Sequence, residues 1–111
     1  MQRRELSFHD HVRLLGYLAL LVDDLPGDLV EIGVWKGKSL MLMNEVCNHE
    51  RRVIGIDPFE LDNQFEEFSH YHDLLLPDAV VIRGYSELSA ERFYNLAPKV
   101  ALLHIDGAVS Y

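Results

Sequence analysis

The 111-residue chain has a single cysteine, Cys47, so no disulfide can form within it, and zinc sites built on cysteine pairs are excluded. A reducing cytoplasm is the expected setting. Basic side chains are scarce as well: 10 lysines and arginines stand against 18 acidic residues, and the net charge of -8 would repel a phosphate backbone. Nucleic acid is therefore not expected as a partner. Long apolar runs are missing too. The longest, Leu14 to Val22, has about half the roughly 20 residues that a membrane-spanning helix needs, and Arg13 and Asp23 close it. The basic start Gln2-Arg3-Arg4 leads into Glu5, His9, Asp10 and His11 rather than into the apolar stretch of a signal peptide, so no membrane is expected. What is present is an apolar fraction of 49% without repeats or low-complexity tracts, which predicts one domain over 1–111.

Ser7 and Asp10 read as a helix start, and Leu14, Leu15, Leu18, Leu21, Val22 and Leu25 recur at helical spacing, which predicts a helix over about 8–24. Val12, Tyr17 and Leu20 add apolar surface to its other faces, as a helix with a second packing partner would have. Pro26-Gly27 separates this N-terminal segment, 1–26, from the remainder, 27–111. Strands are predicted at Asp28 to Gly33, Arg52 to Asp57, Ala79 to Arg83 and Val100 to Asp106. Helices are predicted at Ser39 to Cys47, over about 63–76, and from Ser86, as its cap, to Leu96. Apolar strands alternating with helices imply an α/β, Rossmann-like three-layer fold with a mostly parallel sheet.

In such a sheet ligands sit beyond the carboxyl ends of the strands, where the strand order reverses. The first strand ends in Gly33-Val34-Trp35-Lys36-Gly37-Lys38-Ser39, with a glycine to turn the chain and another to let the backbone approach a ligand or a packed helix. A dinucleotide fingerprint would need glycine where Trp35 stands, and a phosphate loop would need one more residue before Gly37. A turn that binds nothing stays open on the loop alone. Asp57 tips the reading, because an acidic residue ending the second strand can accept hydrogen bonds from the hydroxyls of a ribose. As a single residue it is also an ordinary turn former before Pro58.

Three segments taken in order carry more: Val30-Glu31-Ile32-Gly33-Val34-Trp35-Lys36-Gly37-Lys38-Ser39, Val53-Ile54-Gly55-Ile56-Asp57-Pro58-Phe59 and Leu103-His104-Ile105-Asp106-Gly107. They resemble class I S-adenosylmethionine-dependent methyltransferases, in the O-methyltransferase-like branch with EIGxxxGxS, IDPF and IDGxHSY motifs. The resemblance runs from about residue 26 to the end and covers the first four strands of that core. It implies S-adenosylmethionine as cofactor, S-adenosylhomocysteine as product, and methyl transfer to an oxygen or nitrogen of a small-molecule acceptor. By position, it assigns Glu31, Gly33 and Gly37 to the methionine portion, with Trp35 and Ser39 on the same loop, and Asp57 to the ribose. Phe59 would border the adenine, Tyr85 and Ser86 would stand after the third strand, and Asp106 would face the acceptor or a metal as the catalytic-side residue.

The chain departs from that family at two turns. Gly84-Tyr85-Ser86 stands where an acidic residue is usual, with Tyr85 able to stack instead, and Gly107-Ala108-Val109-Ser110-Tyr111 lacks the usual carboxylate and histidine. Asp106 alone is too little for a hard cation, so no metal is expected. His104 reads as packed within its strand. The histidines of His9-Asp10-His11 and His70-Tyr71-His72 diverge on helices, which favours ordinary surface or packed roles, and Cys47 reads as a buried structural thiol. An apolar fourth strand left as an edge predicts a homodimer through that strand or through the N-terminal helix, with a fragment of a longer chain as the alternative. A non-catalytic cofactor-binding or dimerisation module and a P-loop-like nucleotide binder remain as other readings of function.

Overall fold

A computed structural model describes residues 8–35, 37–47, 51–75 and 78–105. Its elements are α1 (Phe8–Leu21), β1 (Asp28–Ile32), α2 (Lys38–Val46), β2 (Val53–Asp57), α3 (Gln64–Leu75), β3 (Val80–Arg83), a 3-10 turn (Ser86–Leu88), α4 (Ala90–Asn95) and β4 (Val100–Ile105). The strands form one parallel sheet in the order β3-β2-β1-β4. β1 and β2 lie inside it and are buried along nearly their whole length, with Asp28, Glu31 and Asp57 as buried polar residues among apolar ones. The alternation of a strand sends Leu29 and Val53 to one face and Val30, Ile54, Ile56 and Ile82 to the other. Leu15 and Ala19 of α1, Leu40 and Met43 of α2, and Phe68 of α3 cover the first face, while Phe93 and Leu96 cover the second. This is the expected α/β, Rossmann-like architecture.

Two local expectations fail for identifiable reasons. The helix expected from Ser86 is broken, because Leu88 and Ser89 make 3-10 bonds to Tyr85 and Ser86 before Phe93 begins the α-helical pattern from Ser89. The buried Ser89 hydroxyl donates to the Tyr85 carbonyl at 2.6 Å, which holds the break. In α1 the inward stripe is His11, Leu15, Ala19 and Val22, whereas Leu14, Leu18, Leu21 and Leu25 are exposed. A helix with leucine on every side gives the period little to choose between, and the His11 contact with His104 at 2.9 Å joins the chosen face to β4.

The opposite, N-terminal edge of the sheet is closed by ion pairing. Arg52 grips Asp28 with Nε at 3.1 Å and Nη2 at 2.8 Å, its Nη1 donates to the Leu96 carbonyl, and the Lys99 amide donates to the same carboxylate. Arg51 donates to the carbonyls of Val22, Asp23 and Gly27 just past α1 and so pins the end of that helix to the start of β1. The depression lined by Asp23, Asp28, Arg51 and Arg52 is therefore a structural staple whose cations are already engaged.

The Arg52 hydrogen bond, with help from the Lys99 amide and against the effect of burial, lowers the Asp28 pKa below the ordinary 3.8. A lowered carboxylate contributes stability above its unfolded-state pKa and loses it as the pH falls through the folded-state value. Asp28→Asn is expected to cost about 1–3 kcal/mol near neutral pH. In urea unfolding, the gap between parent and variant should narrow as the pH falls below about 4 and should vanish well below it. Gly37 predicts a second loss. Its φ is 98°, and a Cβ there would stand 2.9 Å from the Phe68 ring, so Gly37→Ala should lower the melting point by the equivalent of about 1–3 kcal/mol.

Candidate functional site

The strand order reverses at β1, which sends the chain to β2 on one side and receives β4 on the other, so the carboxyl ends of β1 and β2 frame the crevice. Gly33 leaves β1 at φ 88° while its amide still bonds Ile56, and Gly37, at φ 98°, opens α2 after its amide has closed a turn on Val34. Gly37 yields its space to Phe68, so the second glycine serves helix packing, one of the two purposes open to it. Between the glycines, Trp35 holds a left-handed φ of 58° and leaves its indole 54% exposed beside the crevice. Ser39 is buried in the first turn of α2.

Asp57 organises this edge. Only 8% exposed, it accepts hydrogen bonds from the Trp35 amide on Oδ2 at 3.1 Å, and from the Phe59 amide at 2.6 Å and Gln64 Nε2 at 3.1 Å on Oδ1. Gln64, at 3% exposure, spends its second Nε2 hydrogen on the Trp35 carbonyl at 3.0 Å and accepts the Leu61 amide at 3.3 Å. The opposite orientation of the amide would set its oxygen against two acceptors, so the network fixes which way Gln64 points. Gln64 was missed from the sequence because glutamine opening an amphipathic helix is an ordinary helix former, and only the fold brings it under the β2 tip.

The remaining expected residues are spread along the same edge. Phe59 turns its ring into the core, against Phe65 at 5.2 Å and Phe68 at 4.9 Å between centroids, and presents its amide to Asp57. Arg83 stands 4.0 Å over the Phe65 ring and so ties β3 to α3. Tyr85 and Ser86 follow β3 in exposed positions, joined to the β2 tip through the Gly84 amide on the Asp57 carbonyl at 2.9 Å. Asp106 lies outside the described residues. Glu31 is 1% exposed, with Oε2 2.7 Å from His104 Nδ1, and the Nε2 atoms of His104 and His11 are 2.9 Å apart. His104 is thus the middle member of a carboxylate–histidine–histidine chain from β1 to α1, beyond the packed residue expected. His72 Nε2 bonds the Ala79 carbonyl, and the buried Cys47 thiol lies 3.3 Å from the Asn44 carbonyl. Among the described residues no helix is long and apolar enough to cross a membrane.

A glycine turn, the exposed Trp35 and a buried carboxylate thus meet at the adjoining tips of β1 and β2. No curated protein matches the chain. The apo structure of CalS11, a TDP-rhamnose 3'-O-methyltransferase of calicheamicin biosynthesis, is similar in fold with a TM-score of 0.68 and 21% identity, over 91% of this chain and 53% of that one. Cofactor-bound Rv0187 from MTB is similar with a TM-score of 0.64 and 18% identity, over 96% of this chain and 47% of that one. The chain thus spans about half the length of these solved relatives. A family model described as a methyltransferase domain matches residues 30–111, well over half of the sequence, and the chain therefore belongs to the methyltransferase-domain family.

Proposed function

We propose that the protein binds S-adenosylmethionine at the β1–β2 edge and takes part in methyl transfer to an oxygen or nitrogen of a small-molecule acceptor. The observation that carries this reading is the Asp57 carboxylate, buried at the tip of β2 against the Gly33–Gly37 turn. Asp57 would receive the ribose, and the Trp35 indole offers an aromatic surface to the base. Gly33, Gly37, Ser39 and Glu31 would flank the methionine portion, with the Phe59 amide fixing Asp57 and Tyr85 and Ser86 at the outer rim. Asp106 would stand toward the acceptor. When bound, the cofactor supplies a sulfonium methyl group for displacement, and little acid–base chemistry is then asked of the protein beyond alignment. The O-methyltransferase named among the solved relatives supports an oxygen acceptor, and the lone cysteine supports a cytoplasmic setting.

We further propose self-association. The outer stripe of α1, formed by Leu14, Tyr17, Leu18 and Leu21, with Leu25 just past it, and the exposed Val100, Leu103 and Ile105 of β4 are apolar surfaces that a second copy would cover.

Calorimetric titration with S-adenosylhomocysteine should give saturable heat, and Asp57→Ala should weaken binding by about 10- to 100-fold. An unaltered protein that gives no heat sinks the cofactor reading. Binding without methyl transfer across a panel of hydroxyl and amine acceptors would favour a non-catalytic binding module. Sedimentation at micromolar concentration should show a dimer, and a monomer there overturns self-association.

A further inference from the structure

We propose that Gln64 occupies the position in which the second ribose hydroxyl would bond to Asp57, so that a nucleoside with both hydroxyls must displace it. The proposal rests on the cofactor reading above and deepens it.

The inference follows from acceptor capacity. A carboxylate offers about four acceptor positions on its two oxygens. At Asp57, Oδ1 already accepts from the Phe59 amide and Gln64 Nε2, and Oδ2 accepts from the Trp35 amide. One position is left on Oδ2, whereas a vicinal diol brings two O–H donors. One of the present donors must leave if both hydroxyls are to bond. The Trp35 and Phe59 amides belong to the backbone, in residues held at φ 58° and 52°, and moving either would rebuild its loop. The Gln64 amide needs only side-chain rotation. Its charge distribution also suits the substitution, because a neutral N–H on Oδ1 is replaced by a neutral O–H, and no ion is left unpaired.

Displacement has a second effect. Gln64 also holds the Trp35 carbonyl and the Leu61 amide, so its departure releases the start of α3 from the β1–α2 loop. Nucleoside binding is thereby coupled to loosening of the segment around residues 61–64, while the backbone donors to Asp57 stay in place. A ligand with a single ribose hydroxyl can use the open position on Oδ2 and leave the latch shut.

Gln64→Met keeps the length of the side chain and removes its donors. The variant should bind adenosine and S-adenosylhomocysteine about three- to tenfold more tightly than the parent, while its affinity for the tighter-binding of 2'-deoxyadenosine and 3'-deoxyadenosine, whose hydroxyl takes the open position, stays unchanged. Weaker or equal binding of adenosine by a folded variant overturns the proposal, as does an equal gain for both deoxynucleosides. If the variant does not fold, hydrogen exchange on the unaltered protein decides. Saturating S-adenosylhomocysteine should speed exchange of the Leu61 amide while the Trp35 and Phe59 amides stay protected. Binding heat accompanied by an unchanged or slower Leu61 amide overturns the latch alone. No heat with parent or variant overturns the cofactor reading and the latch together.

Discussion

Asp57 ties together the β1–α2 turn, the residues after β2, the start of α3 and the turn after β3 at the carboxyl edge of the sheet. Its three donors come from the β1–α2 turn, the residue after Pro58 and the first residue of α3, and its own carbonyl takes the amide that follows β3. Removing the Asp57 carboxylate would leave two backbone amides and one N–H of a buried side-chain amide without partners, a larger disturbance than the loss of a single hydrogen bond. The shape of the crevice is thus set by the same group that is best suited to recognise a sugar. On the proposed cofactor reading, structure and recognition would compete for one set of lone pairs, with Gln64 as the donor that gives way.

The α/β alternation was legible because the interior strands are mostly apolar and the breaks fall at Pro26-Gly27 and at Pro58. Asp57 and the two glycines were legible because their chemistry is local to a strand end. Other features depend on non-local placement. The glutamine at position 64 gains its role only when α3 comes under the β2 tip, and the Phe59 ring goes inward because Phe65 and Phe68 lie one helical turn apart on the same face. The packing face of α1 was misread for a different reason. Six leucines in or near the helix point in every direction, so hydrophobic period alone cannot select the stripe that His11 and Ala19 mark.

The chain from Glu31 through His104 to His11 shows what the sheet register adds. Glu31 and His104 are opposed in the β1–β4 ladder, so their side chains emerge on the same face, which is the face that α1 covers. A carboxylate placed so deep requires a polar partner, and an imidazole can bond it with one nitrogen and carry a hydrogen bond onward with the other. The two Nε2 atoms need one proton between them. α1 is therefore attached to the sheet by a polar contact at His11 as well as by Leu15 and Ala19, and β4 is attached to β1 by a side-chain bond beyond its ladder.

Backbone strain follows the two buried aspartates. Trp35, Phe59 and Asn63, with φ between 52° and 60°, surround the Asp57 network, and Ala97, at φ 50°, lies beside the Asp28–Arg52 pair at the other edge. A left-handed residue other than glycine costs about 1–2 kcal/mol, so each persists only where neighbouring bonds over-determine it. The networks differ in what could replace them. Asp28 is held by a guanidinium through two parallel bonds, and no neutral ligand substitutes for that charge. Asp57 is held by neutral donors alone, each comparable in strength to a hydroxyl. The strain at the two edges is therefore held differently: at Asp28 by charge, and at Asp57 by neutral hydrogen bonds from the Trp35 and Phe59 amides.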